Sequence, residues 1–170
     1  MKQNFEIKSG IMVASDPCYT IPTWCQGIIS NVKNGTWSAE VKISDEGDWG
    51  KRIAMLKIKH IGSKPITKYE ELNFNGGVDS GQFGFFDKEF YRNDEAVKEL
   101  PKYDFGGDFK RDDEDGEEWY LACCNITLKK RWGCLPNGVV SETGFGDGSY
   151  GVYGRKDTNG EWVEFKVRYI

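Results

Sequence analysis

Residues 27–44 read GIISNVKNGTWSAEVKIS. After Asn34-Gly35 the residue types alternate. Trp37, Ala39, Val41 and Ile43 are apolar, and Ser38, Glu40 and Lys42 between them are polar. Side chains along a strand point to opposite faces in turn, so a period of two marks a strand with one face buried and one wet. Asn-Gly accepts the positive φ that a tight type I′ turn requires. The stretch is therefore expected to be a β-hairpin turning at Asn34-Gly35.

The same period recurs on both sides. In FEIKSGIMVAS (5–15), Phe5 and Ile7 share a face before the chain crosses Ser9-Gly10 into a second short strand. RIAMLKIKHIG (52–62) places Ala54, Leu56 and Ile58 on one side. WYLACCNITLKKRW (119–132) and GVVSETG (138–144) read as further strands. SYGVYGRK (149–156), the turn Asp157-Thr158-Asn159-Gly160 and EWVEFKVRYI (161–170) close the chain, with Val163, Phe165, Val167 and Tyr169 on a common face. Helix punctuation is found in DKEFYRNDEAVKEL (87–100): Asp87 can cap it, Pro101 ends it, and Asn93-Asp94 can divide it. Phe90, Val97 and Leu100 are its candidate buried side. The expected fold is mainly β, a β-rich α+β domain. It is a sandwich or a strongly curved antiparallel sheet with one short helix around residues 88–100. With 170 residues and neither repeat nor linker, residues 1–170 are expected to form a single domain. An acidic loop spans 102–117.

Six Trp, eight Tyr and ten Phe supply the bulk for an aromatic core. The net charge of −4 gives no general attraction for nucleic acid or anionic membranes. No stretch approaches a membrane span. The opening MKQNFEIKSG is polar and alternating, and five cysteines make a poor disulfide framework, so a reducing cytosol is the expected compartment.

Familiar chemistry is mostly missing. Gly146-x-Gly148-x-x-Gly151 matches the dinucleotide fingerprint as text, but a strand follows where a helix is needed. A single histidine, His60, makes a zinc cluster improbable, and its strand parity suggests a satisfied sheet residue. The Asp112–Asp115 run has Arg111 where a calcium loop needs its first Asp. The cysteines read as small core residues rather than nucleophiles.

Three segments join turn-forming and reactive residues: SDPCY (15–19), VDSGQFGFFD (78–87) and GFGDGSYGVYG (144–154). Their order and wording resemble an uncharacterised family, a domain of unknown function found in bacterial and phage genomes. Its pattern has Asp-Pro-Cys-Tyr first, Val-Asp-Ser/Ala-Gly mid-chain, and Gly-Asp-Gly-Ser-Tyr before a closing hairpin. Members often carry Pro after the Ser-Tyr, where this chain has Gly151. The resemblance implies no established activity.

Each motif taken alone is a good turn, with an Asp able to hold its own loop. Taken together, the three corners are expected to meet at one sheet rim, where loops on rigid strands build sites. The expected function is non-catalytic binding of a small anionic or nucleotide-like ligand. The candidate residues are Asp16, Tyr19, Asp79, Ser80, Gly146, Asp147, Gly148, Ser149 and Tyr150. Backbone N–H groups of Gly146, Gly148 and Ser149 would cradle an anion, and the tyrosines would meet a ring. No cofactor is expected. If the phage association holds, the ligand would be a host nucleotide immune signal sequestered in the host cytoplasm. One alternative is a metal-dependent phosphoesterase holding Mg²⁺ or Ca²⁺ on Asp16, Asp79 and Asp147. Another is an interaction or inhibitor module using the acidic loop and Trp49 against a protein partner.

Overall fold

A computed structural model describes residues 1–106 and 115–170. The central part of the acidic stretch at 102–117 lies outside the described residues. The strands are β1 (Gln3–Ile7), β2 (Met12–Ser15), β3 (Gly27–Ile29), β4 (Gly35–Asp45), β5 (Lys51–His60), β6 (Glu70–Val78) and β7 (Gln82–Asp87). After the helix α1 (Glu117–Lys130) come β8 (Trp132–Leu135), β9 (Gly138–Glu142), β10 (Gly148–Lys156) and β11 (Trp162–Arg168). Two antiparallel sheets form, a six-stranded one in the order β1-β4-β5-β11-β10-β6 and a five-stranded one in the order β3-β2-β7-β9-β8. They pack face to face as a sandwich, in agreement with the β-rich expectation.

Alternation builds the space between the sheets. Trp37, Ala39, Leu56, Ile58, Phe165 and Val167 point inward from the large sheet and are fully buried. Phe165 stacks on Trp37 and on Phe85 of the facing sheet, with ring centroids 6.0 and 5.9 Å apart. A second apolar cluster, including Val13, Phe86, Trp119, Cys123 and Val140, lies between the five-stranded sheet and α1. The small sheet is thus covered on both faces. That explains why QFGFFD of β7 is buried at every position rather than at alternate ones.

Two expectations are corrected. Residues 27–44 do not form a hairpin: β3 pairs with β2 in one sheet, and β4 pairs with β1 and β5 in the other. Asn31, Val32 and Lys33 are engaged by Trp162 instead, which draws the chain across the sandwich. Nor is the α-helix at 88–100, where Lys88–Phe90 and Asp94–Val97 form two separate 3-10 turns. It lies at Glu117–Lys130, within a stretch read as strand. Its start is Gly116, which has no capping side chain. The Asp94 carboxylate does that work from outside, accepting from the N–H groups of Gly116 (3.3 Å) and Trp119 (2.9 Å).

The chain passes from the large sheet to the small one between β1 and β2 and again between β6 and β7. A buried carboxylate holds each passage. Asp87, at the end of β7, accepts from the Lys8 and Ser9 N–H groups and the Ser9 hydroxyl in the first crossing. Asp16, just after β2, accepts from Asp79 and Ser80 in the second. Because β2 and β7 are antiparallel neighbours, each ends where the other begins.

On the outer face of the large sheet, Glu164 is 2% exposed and pairs with Lys57 (3.0 Å) and Arg155 (3.1 Å). Burial acts to raise its pKa, but the hydrogen bond and charge of Lys57, then Tyr69 and Arg155, outweigh it and hold the carboxyl below its usual range. A carboxyl with a depressed folded pKa stabilises fully above its unfolded value of about 4.3. That stabilisation is lost as pH falls through the folded value. Glu164→Gln is therefore expected to lower stability at neutral pH and to flatten its decline as pH falls below about 4.3. Urea midpoints across that range check both. Asp94→Ala should cost about 0.5–2 kcal/mol, read from the same denaturation.

Candidate functional site

Asp16 follows the last residue of β2 and is fully buried. Pro17 contributes no donor, and the chain doubles back so that the Cys18 N–H reaches Asp16 Oδ1 at 2.8 Å. The same oxygen accepts the Ser80 hydroxyl at 2.6 Å. Oδ2 accepts the N–H groups of Asp79 (2.8 Å) and Ser80 (2.7 Å). One carboxylate thus has four protein donors.

The turn at 79–81 is also held from its other side. Gly81 has φ +70°, which glycine adopts at no steric cost, and its N–H donates to Asp147 Oδ1 at 3.1 Å. The Tyr19 hydroxyl donates to Asp79 Oδ2 at 2.7 Å. All three sequence motifs therefore meet at this turn. They meet as a hydrogen-bonded framework, and among the described residues no three His, Cys, Asp or Glu side chains are grouped to hold a metal.

The glycine loop has its own internal bonds. The Gly146 N–H donates to the Thr143 carbonyl at 2.9 Å, and the Thr143 hydroxyl donates back to the Gly146 carbonyl at 2.8 Å. Gly148 and Ser149 lie in the ladder with β6, opposite Val78 and Gly77. The hydroxyl of Tyr150 bonds to the Gly146 carbonyl at 2.7 Å, and its ring packs edge-on against Tyr169. Tyr150 is thus turned inward, bracing the loop.

A concavity opens on each side of this framework. The larger, about 430 Å³, lies between α1, the 80–82 turn and residues 142–146. Arg52, Tyr120, Thr127 and Phe145 line it together with Ser80 and Gly146. The Arg52 Nε donates to the Trp49 carbonyl at 3.0 Å, and the guanidinium sits 5.3 Å from the Phe145 ring centre. Among the described residues Arg52 has no ion-pair partner, whereas neighbouring Glu142 is paired with Arg131 at 2.8 Å. The smaller concavity, about 240 Å³, is lined by Tyr19, Trp24, Asp79, Gly148 and Ser149. The nine sequence candidates are thus brought into one region, where Ser80 and Gly146 line the larger concavity, Tyr19, Asp79, Gly148 and Ser149 line the smaller, and Asp147 and Tyr150 line neither. Asp16 faces neither.

A family model described as protein of unknown function (DUF4241) matches residues 5–167. The chain belongs to that family. No curated protein and no solved structure matches the chain. The matched span includes Asp16, Asp79 and Asp147.

Several supporting residues had no signal in the sequence. Tyr91 donates its hydroxyl to the carbonyls of Tyr19 (2.7 Å) and Asp16 (3.1 Å), and Arg92 Nη1 reaches the Pro17 carbonyl at 3.1 Å. Both sit in the segment read as a helix face. Arg52 stands on an ordinary alternating strand, where a basic residue carries no message. Cys18 and Cys124 lie close to the framework, but they are not activated. Burial, and for Cys18 the adjacent Asp16 charge, push both thiols up, so they remain protonated at neutral pH. His60 bonds through Nε2 to the Asn34 carbonyl and through Nδ1 to Ser63, as a satisfied sheet residue does.

These bonds rank the three aspartates. Asp16→Ala strands four donors and should cost more than about 3 kcal/mol. Asp79→Ala removes one exposed bond and should cost about 1 kcal/mol or less. Urea denaturation of the two variants checks the contrast.

Proposed function

We propose that the protein binds a small anionic, nucleotide-like ligand in the 430 Å³ cleft and does not convert it. The observation that carries this reading is Arg52: a guanidinium fixed by Trp49 and Phe145, set in the cleft lining, with no carboxylate partner among the described residues. The volume lies in the range of ligand clefts, about 300–1,000 Å³. A phosphate or carboxylate suits Arg52, and a planar ring suits Phe145 beside it. At Gly146 a Cβ would stand in open space, so its absence lets a ligand approach the main chain of that wall.

The same bonds support binding without turnover. The Ser80 hydroxyl is committed to Asp16, and Asp16 already accepts four donors, which makes it a poor base and a poor metal ligand. The neighbouring thiols stay protonated. The metal-dependent phosphoesterase reading therefore has less support than binding. Five unpaired cysteines suit a reducing cytosol. No helix among the described residues is long and apolar enough to cross a membrane.

A nucleotide panel tests the reading, with Mg²⁺ or with EDTA, followed by melting temperature and chromatography. A ligand at 100 times its Kd adds about 2.7 kcal/mol. For a chain of this size that is a rise of roughly 5–10 °C. The expected result is such a rise, independent of metal and without product, and lost in Arg52→Ala while the unliganded melting temperature holds. Metal-dependent product would overturn it.

A further inference from the structure

We propose that the outer face of the six-stranded sheet carries a second anion site, a trough between Lys42, Lys166 and Arg168 that takes a small molecule bearing two adjacent phosphate groups. The trough has a volume of about 310 Å³, and its remaining walls are Ser44, Ala54, Met55 and Ile170. It shares no residue with the Arg52 cleft.

The strand order builds it. β5 lies between β4 and β11, and Met55 is in register with Lys42 on one side and Arg168 on the other. Adjacent strands are about 4.8 Å apart, so the two rims stand roughly 10 Å apart across an uncharged floor. Lys166, two residues before Arg168, lies in the next row, directly opposite Lys57. Like charges placed opposite one another across a ladder repel. In a protein with a net charge of −4, that clustering is a cost which general surface chemistry does not require.

The nearby acids relieve it only in part. The Glu164 oxygens are taken by Lys57 and Arg155, and Glu40 pairs with Lys2 at 3.8 Å. Among the described residues, Lys42, Lys166 and Arg168 form no ion pair. Lys166 instead rests over the Tyr69 ring at 3.7 Å. Burial, then the charges of Arg168 and Lys57, lower its pKa, and the Glu164 charge offsets them only in part. A single phosphate reaches one rim, whereas two linked phosphates reach both.

Inorganic pyrophosphate is the probe, read by melting temperature and titration calorimetry at low salt, beside orthophosphate and a single-stranded oligonucleotide. Pyrophosphate is expected to raise the melting temperature by several degrees and to bind at least tenfold tighter than orthophosphate. The double variant Lys42→Gln/Arg168→Gln should lose that shift, while its unliganded melting temperature holds or rises as repulsion is relieved. Lys42→Glu alone, at an exposed side chain, should lose most of it. Arg52→Ala should keep it, which separates this site from the cleft. An undiminished shift in the double variant, equal affinity for orthophosphate, or tighter binding of the oligonucleotide would each overturn the proposal.

Discussion

The Asp16 carboxylate holds together the corner on which the candidate site is built. A buried charge is tolerated only when donors replace its water, and here the replacements come from its own turn and from residues more than sixty positions away. By gripping the 79–81 turn, Asp16 fixes where the chain leaves the large sheet and enters the small one. The Asp147 contact then places the glycine loop, and the loop places one wall of the Arg52 cleft. Asp87 does the corresponding work at the opposite end of the β2–β7 pair.

The sheets were largely legible in the sequence because alternation is a local consequence of burying one face. Trp37 to Val41, Ala54 to Ile58 and Val163 to Tyr169 were all read correctly on that ground. Past a bulge at Lys42/Ile43, the parity breaks and Ile43 becomes 52% exposed. Strand partners were not legible. Asn34-Gly35 carries a turn signature, but a crossing between sheets also needs glycine, and only the distant Trp162 decides between them. The helix was missed because Leu121 to Cys124 is an unbroken apolar run and its cap, Asp94, lies far back in the chain. Glu117-Glu118 at its start and Lys129-Lys130 at its end, which complement the helix dipole, were the available signal.

The site was legible as a place more than as a mechanism. Asp-Pro, Asp-Ser-Gly and Gly-Asp-Gly are turn signatures, and turns at one rim of a sandwich meet. Which carboxylate faces solvent and which is saturated depends on the partners that folding brings, and residue type does not record that. Arg52 shows the converse. Its chemistry is visible in the sequence, but its lack of a carboxylate partner among the described residues is a property of the assembled surface.

The paired aspartate anchors also bear on how the chain reaches its native state. Asp16 bonds to residues 63 and 64 positions away, and Asp87 to residues 78 and 79 positions away. Neither bond exists until both sheets have nearly found each other, so these links reward only a late stage of assembly. Topologies dominated by such distant pairings cross a large entropic barrier and fold in milliseconds to seconds rather than microseconds. A chain in which β2 has paired with the wrong neighbour leaves these carboxylates only their local donors, Cys18 and Glu89, and forfeits the long-range ones. The two buried acids thus act as proofreaders of strand order as well as clasps on the finished sandwich.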